Sequence, residues 1–232
     1  FAVHGGRQTL LWDLDMQGGA GWVLGHEPAV VPHLPAGAAA VFQRDGKPQH
    51  LVRPTHVDGL SLICADDGLR SLPLQLARLG QRRRLATMTR RLRTDYERIV
   101  LDCPAGMNEV TEQVIAAADL IIVPLPPSPL ARRALDMVRR ELVRLRARHA
   151  PILPVLSMID MRRRLHRDLA GGEALGWPHV PMASAIERCG VHRRPIAEFA
   201  AGTPADVALA RLWRGIEPKL ASMARPLLSR AG

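Results

Sequence analysis

Carboxylates close two short apolar runs in this 232-residue chain, and a third run ends on a hydroxyl followed by a carboxylate. Residues 9–15 read TLLWDLD and lead through Asp13 and Asp15 into Met16-Gln17-Gly18-Gly19. Residues 98–102 read RIVLD and lead from Asp102 into Cys103-Pro104-Ala105-Gly106. Residues 152–158 read ILPVLSM and lead from Ser157 and Met158 to Asp160. A carboxylate at the end of a buried strand is costly unless something cationic sits on it. At a strand's carboxyl end that is commonly Mg²⁺ with a phosphate. A single such Asp most often only caps the following helix; Asp13, Asp15 and Asp102 together point to a cation-assisted site.

Five runs have the composition of strands that could carry these groups: Thr9 to Asp15, Leu60 to Ala65, Arg98 to Asp102, Leu120 to Pro124 and Ile152 to Met158. Most are continuously apolar, as strands covered on both faces are. Helical periodicity lies between them, at about Asn108 to Ala118, Leu130 to His149, Arg162 to Leu169 and Ala205 to Ile216. In the second, Leu135, Val138, Leu142 and Leu145 form one apolar stripe. The alternation predicts an α/β fold, a doubly wound, mostly parallel sheet with helices on both faces. Ligands bind such sheets beyond the strands' carboxyl ends. Residues 26–56 hold five of the 19 prolines and read as a loop excursion, so residues 1–232 are expected to form a single domain.

Hydrophobic residues make up 47% of the sequence, which excludes disorder of the whole chain. Cys64, Cys103 and Cys189 are far apart and include no C-x-x-C pair. A disulfide framework or zinc site is therefore not expected, and a reducing cytoplasm is. No apolar run approaches the roughly 20 residues that cross a bilayer. The segment Lys219 to Arg230 is interrupted by Pro226, which argues against an amphipathic membrane anchor. His166, on an expected helix, reads as a surface residue. Lys plus Arg number 32 against 22 Asp plus Glu, for a net charge of +10, and only Lys47 and Lys219 are lysines. Arginine suits phosphate contacts, although codon bias would produce the same excess.

Residues 10–25, LLWDLDMQGGAGWVLG, resemble the switch motif of the ParA/MinD branch of deviant-Walker P-loop ATPases, usually LLVDLDPQGNAT. Residues 96–135, YERIVLDCPAGMNEVTEQVIAAADLIIVPLPPSPLARRAL, look like that family's Walker B strand with the strand and helix after it. Residues 156–169, LSMIDMRRRLHRDL, and 180–213, VPMASAIERCGVHRRPIAEFAAGTPADVALARLW, are similar to the nucleotide-base region and C-terminal helices of ParA-type partition ATPases. The four segments occur in the family's order over nearly the whole chain.

The resemblance implies a P-loop NTPase that uses ATP and Mg²⁺ to partition chromosomes or plasmids. It implies that Asp15 positions the attacking water, that Asp102 holds the Mg²⁺ sphere through water, and that Asp13 lies near that sphere. Ser157, Met158 and Pro181 fall in segments that flank the adenine. It further implies ATP-dependent homodimers, nonspecific binding to double-stranded DNA, a ParB-like activator, no membrane, and a cytoplasmic, nucleoid-associated location. Met16 and Ala105 stand where the family usually has proline. One departure is larger: the family's K-G-G-x-G-K-[ST] phosphate loop is missing, and the only Gly-Lys, Gly46-Lys47, is followed by Pro48. The chain as it stands is therefore expected to be a very poor ATPase. The expectation favoured by Phe1 and by the retained Asp13, Asp15 and Asp102 is an N-terminal truncation that removes the first strand, the P-loop and most of the first helix. Loss of that strand would expose two strand edges and lower solubility. The other readings are a P-loop-free DNA-binding or adaptor relative, or a ParA-like positioning ATPase for another cargo. An amidotransferase-like synthase would need a further glutamine-handling domain, for which 232 residues leave no room.

The first part of the chain carries none of the net positive charge: residues 1–60 hold four cations and five anions. Residues 82–98 and 132–149 each carry seven cations against two anions, and residues 162–168 carry four against one. On the expected helix from Leu130, Arg133, Arg140 and Arg144 project nearly opposite the apolar stripe. That face reads either as solvated surface or as a phosphate-binding surface for double-stranded DNA. With one tyrosine and three phenylalanines there is little material for stacking single-stranded bases.

Overall fold

In the computed structural model, the described residues are 1–26, 42, 47–80, 83–144, 150–172, 174 and 176–224. They divide between two compact units, the first made of residues 1–118 with 188–195 and the second of residues 119–187 with 196–232.

The first unit contains α1 (Ala2–Gly5), β1 (Thr9–Asp13), α2 (Gly19–Val23), β2 (Arg53–Pro54), β3 (Leu60–Ile63), α3 (Leu72–Leu79), α4 (Arg84–Leu92), β4 (Arg98–Asp102) and α5 (Glu109–Ala117). Its sheet has the order β2-β3-β1-β4. β1 runs parallel to both neighbours, with Thr9 opposite Leu60 and Arg98, and Asp13 opposite Asp102. Only β2 is antiparallel. Side chains alternate across β1: Leu10 and Trp12, followed by Leu14, enter one core with Leu72, Leu76, Leu85, Met88, Leu92 and Val110 from α3, α4 and α5. Leu11 meets the other face, with Leu24, Val57 and Leu62. Helix α4 forms because Leu85, Met88 and Leu92 share one buried face. Its first turn is satisfied by Gln113 of α5, whose Oε1 accepts the Leu85 N–H at 3.1 Å.

The second unit contains β5 (Ile121–Leu125), α6 (Pro129–Arg144), β6 (Ile152–Ile159), α7 (Arg164–Gly171) and β7 (His179–Pro181), then α9 (Ile196–Phe199) and α10 (Pro204–Ala224). Helix α8 (Ser184–His192) begins in this unit and ends in the first. The sheet order is β5-β6-β7, all parallel. The Ser128 hydroxyl accepts the Ala131 N–H at 3.1 Å and so caps α6, while Leu135 and Leu142 bury its inner face.

The mostly parallel α/β class expected from the alternation is present. β4 matches its expected limits residue for residue, and the other four strands differ by one or two residues at an end. β2, β7, α2, α3, α4, α8 and α9 lie where the sequence pattern shows no element: the two- and three-residue strands and the shortest helices have no readable period, and α3 carries Pro73 in its first turn. The expected helix from Leu130 is described as far as Arg144; Leu145 and the remainder to residue 149 lie outside the described residues, as does most of the proline-rich stretch 26–56 and Pro226. No helix among the described residues is long and apolar enough to cross a membrane.

Among the described residues, β4 and β5 each pair on one edge only. β4 carries charge only at its ends, Arg98 and Asp102, and β5 carries none; on β5, Ile122 is 41% exposed. Leu10→Ala, in the fully buried core, is expected to cost ~2–5 kcal/mol in urea denaturation. Ile122→Lys should leave the denaturation midpoint nearly unchanged and reduce concentration-dependent self-association in light scattering.

Candidate functional site

Parallel pairing of β1 with β4 places Asp13 beside Asp102 at the carboxyl edge of the first sheet. The chain then crosses between the strands, with the Leu14 N–H donating to the Asp102 carbonyl at 2.9 Å. Asp15 therefore emerges over the same end. Asp13 is fully buried, and both of its carboxylate oxygens accept backbone donors: Oδ1 the Asp15 N–H and Oδ2 the Gly21 N–H, each at 3.1 Å. One carboxylate thus fixes the start of the loop and the middle of α2. Gly18, at φ +63°, makes the turn between them. The half-buried Asp15 accepts the Gln17 N–H at 3.0 Å through Oδ1, and Oδ2 accepts nothing from the described residues.

Burial pushes the Asp13 carboxyl above its ordinary value against the lowering effect of the Gly21 and Asp15 amides. Burial also pushes Asp102 up, and the charges of Asp13 and Asp15 push it further. Three acids therefore share one end of the sheet with no described cation to balance them. Among the described residues no three His, Cys, Asp or Glu side chains are grouped as a fully protein-ligated metal requires. With Asp13's oxygens occupied, the donor set suits a hard cation that takes one or two carboxylates and fills the rest of its sphere with water and phosphate oxygens, as Mg²⁺ does. Burial raises the thiol of Cys103, the next residue, which donates to the Thr111 hydroxyl at 3.7 Å. The loop after Asp102 closes on Asn108, whose Oδ1 accepts the Val110 and Thr111 N–H groups and starts α5.

The second unit holds the other expected binding residues. Ser157 and Met158 lie near the end of β6, and Pro181 ends β7, opposite Ile159. The register shifts between Leu156 and Ile159, and Met158 takes a left-handed φ of +58° with its side chain 53% exposed. Asp160, just beyond, is bound by the Arg162 backbone N–H and guanidinium at 3.0 to 3.1 Å, which hold its carboxyl down at about 2. It carries its own cation. His166 is buried and not at the surface as its position in the sequence suggests; its Nδ1 accepts the Asp160 N–H at 2.9 Å, so the ring braces this turn. Nothing in the helical pattern distinguishes such a histidine from a solvated one.

Arg133, Arg140 and Arg144 are exposed on α6, as are Leu130 before them and Met137 among them. Arg144 pairs with Glu141, and Arg132 and Arg139 both reach Asp136. Arg133 and Arg140 are exposed and form no ion pair with a described residue.

The acidic cluster has a pH signature. Because the folded-state values of Asp13 and Asp102 are raised, ionising them opposes folding at neutral pH, and that opposition is relieved as pH falls through the folded values. Glu97 and Asp160, whose values are lowered, keep their arginine partners over the same window. Without divalent cations, melting temperature should rise as pH is lowered from 7 toward the ordinary carboxylate range near ~4. Asp102→Asn should flatten that rise. Millimolar Mg²⁺ should stabilise the parent chain at pH 7 and leave Asp102→Asn unaffected.

A family model described as "AAA domain" matches residues 2–154. The chain is 32% identical over 120 residues to the chromosome partitioning protein ParA of Myxococcus xanthus, covering 51% of this chain and 41% of that protein. It is 30% identical over 176 residues to ParA of Caulobacter vibrioides, covering 71% and 63%. The chain thus spans less than two thirds of the length of these curated relatives. Among solved structures, an ATP complex of a Cyanothece McdA variant superposes with a TM-score of 0.77 over 94% of this chain and 87% of that one, at 19% identity, a likeness of fold.

Proposed function

We propose, since the chain belongs to the ParA/MinD-type family of P-loop ATPases, that it is the switch-bearing and base-binding part of a ParA-type ATPase that partitions chromosomes or plasmids. The observation that carries this reading is the convergence of Asp13, Asp15 and Asp102 at the paired ends of β1 and β4.

In this reading each residue has a separate task. Asp102 holds the Mg²⁺ sphere, and the raised value of its carboxyl fits a group that waits for a cation. When bound, the metal neutralises charge on the phosphates. Asp15 orients water: one oxygen is tied to the Gln17 amide, and the other is available to accept a water proton. Asp13 lies near the metal sphere and holds the Asp15 backbone in place. Ser157, Met158 and Pro181 flank the base. Arg133, Arg140 and Arg144 contact DNA phosphates, a role that leaves base sequence unread. Partners are double-stranded DNA, a ParB-like activator and a second copy joined through ATP, in the cytoplasm on the nucleoid.

The chain does not hold the phosphates of ATP by itself, because it has no glycine-rich phosphate loop. Among the described residues β4 pairs on one edge only, which supports the view that a further parallel strand belongs beside Asp102 and leads into such a loop.

A longer chain carrying K-G-G-x-G-K-T upstream of β1 should hydrolyse ATP, and Asp15→Ala in it should lower the rate about 100-fold or more while ATP still binds. Absence of ATP binding by that longer chain would favour the adaptor reading. Arg133→Glu with Arg140→Glu should weaken DNA binding at every sequence tested. It should also reduce the slope of log affinity against log salt by about 2, as read by fluorescence anisotropy.

A further inference from the structure

Arg193 and Met158 are the only non-glycine residues with a left-handed backbone among those described, Arg193 at φ +52°. Glycine adopts that conformation freely and arginine does not, so contacts elsewhere must hold it. The Arg193 guanidinium carbon lies 4.3 Å from the centroid of the Trp22 ring. Its Nε donates to the Trp22 carbonyl oxygen at 3.2 Å. The two residues are 171 positions apart in sequence and belong to the same compact unit.

Trp22 sits in α2, whose five residues are too few to be stable unaided. Its carbonyl also accepts the Gly25 N–H at 3.0 Å. Arg193 therefore brings a cation to the carbonyl end of the helix, where the helix dipole favours it, and covers part of the indole of Trp22, which remains 46% exposed. From Trp22 the hydrogen bonds lead back toward the acidic loop. The Trp22 N–H donates to the Gly18 carbonyl at 3.0 Å, and the Gly18 N–H donates to the Asp15 carbonyl at 2.9 Å. α2 is thus held at two points, by Asp13 through Gly21 and by Arg193 through Trp22.

We propose that Arg193 is a positioning residue for Asp15, acting through Trp22 and Gly18, so that the chain segment 188–195 sets where the Asp15 loop rests. Its consequence for hydrolysis rests on the role proposed above for Asp15; the latch belongs to the chain without nucleotide and is tested there. Arg193→Gly removes the guanidinium and relieves the left-handed backbone, and Trp22→Leu removes the ring while leaving the residue 193 backbone unchanged, so loosening common to the two variants comes from the lost contact. By amide hydrogen exchange, Gly18, Trp22 and Gly25 should exchange about tenfold faster, while Leu10 and Val100 in the β1–β4 ladder keep their protection. The indole N–H resonance of Trp22 should shift, and Arg193→Lys, which keeps a cation over the ring, should restore most of both effects. Unchanged exchange at Gly18 and Gly25 in Arg193→Gly, or a lysine variant as loose as the glycine variant, would overturn the proposal. If Arg193→Gly unfolds the unit, Trp22→Leu decides: faster exchange confined to Gly18 and Gly25 supports the latch, and parental rates refute it. These readouts stand whether or not a longer chain hydrolyses ATP.

Discussion

Two like charges, Asp13 and Asp102, stand side by side because β1 and β4 are parallel and in register. The arrangement is unfavourable in isolation. Both carboxyls are pushed up by burial, and Asp102 is pushed further by its neighbours. The protein offsets this only in part, by directing the Gly21 and Asp15 amides at Asp13. On the function proposed above, the remaining imbalance is what attracts a hard cation, since a charge brought into a partly buried acidic cluster is attracted more strongly than it would be in water.

The local structure around β1 follows from that constraint. To bring the Gly21 amide back onto Asp13, the chain turns sharply at Gly18 and begins a helix at once. The helix has only five residues and depends on outside contacts, from Asp13 at its middle and from Arg193 near its carboxyl end. The same turn places Asp15 above the sheet with one oxygen committed to Gln17. A carboxylate that would otherwise rotate freely is thereby given an orientation. In the second unit the corresponding strand end is balanced internally: Asp160 is neutralised by Arg162 and its backbone is held by His166. The two strand ends look alike in sequence and are electrostatically opposite.

Much of this was legible from residue order. Continuous apolar runs closed by acids identified β1 and β4, because a both-sides-covered strand allows no polar residue until it leaves the core. The stripe of Leu135 and Leu142 identified α6 for the corresponding reason. Arginine spacing on that helix predicted an outer face, and Arg133, Arg140 and Arg144 are exposed there, as are Leu130 and Met137. Short elements were not legible. β7 and α2 have too few residues to display a period, and α4 takes its N-terminal cap from Gln113, 28 residues away.

The sequence by itself determined which residue types reach strand ends, and so the α/β class and the acidic chemistry, because burial dictates composition along each strand. Only the tertiary structure decided which acids meet and how each is partnered. Asp13 proves to be bound by backbone amides, Asp102 to be unbalanced, Asp160 to be paired, His166 to be buried, and Arg193 to lie on Trp22. Those outcomes depend on strand register and on contacts between residues as many as 171 positions apart, and neither leaves a periodic mark on the sequence.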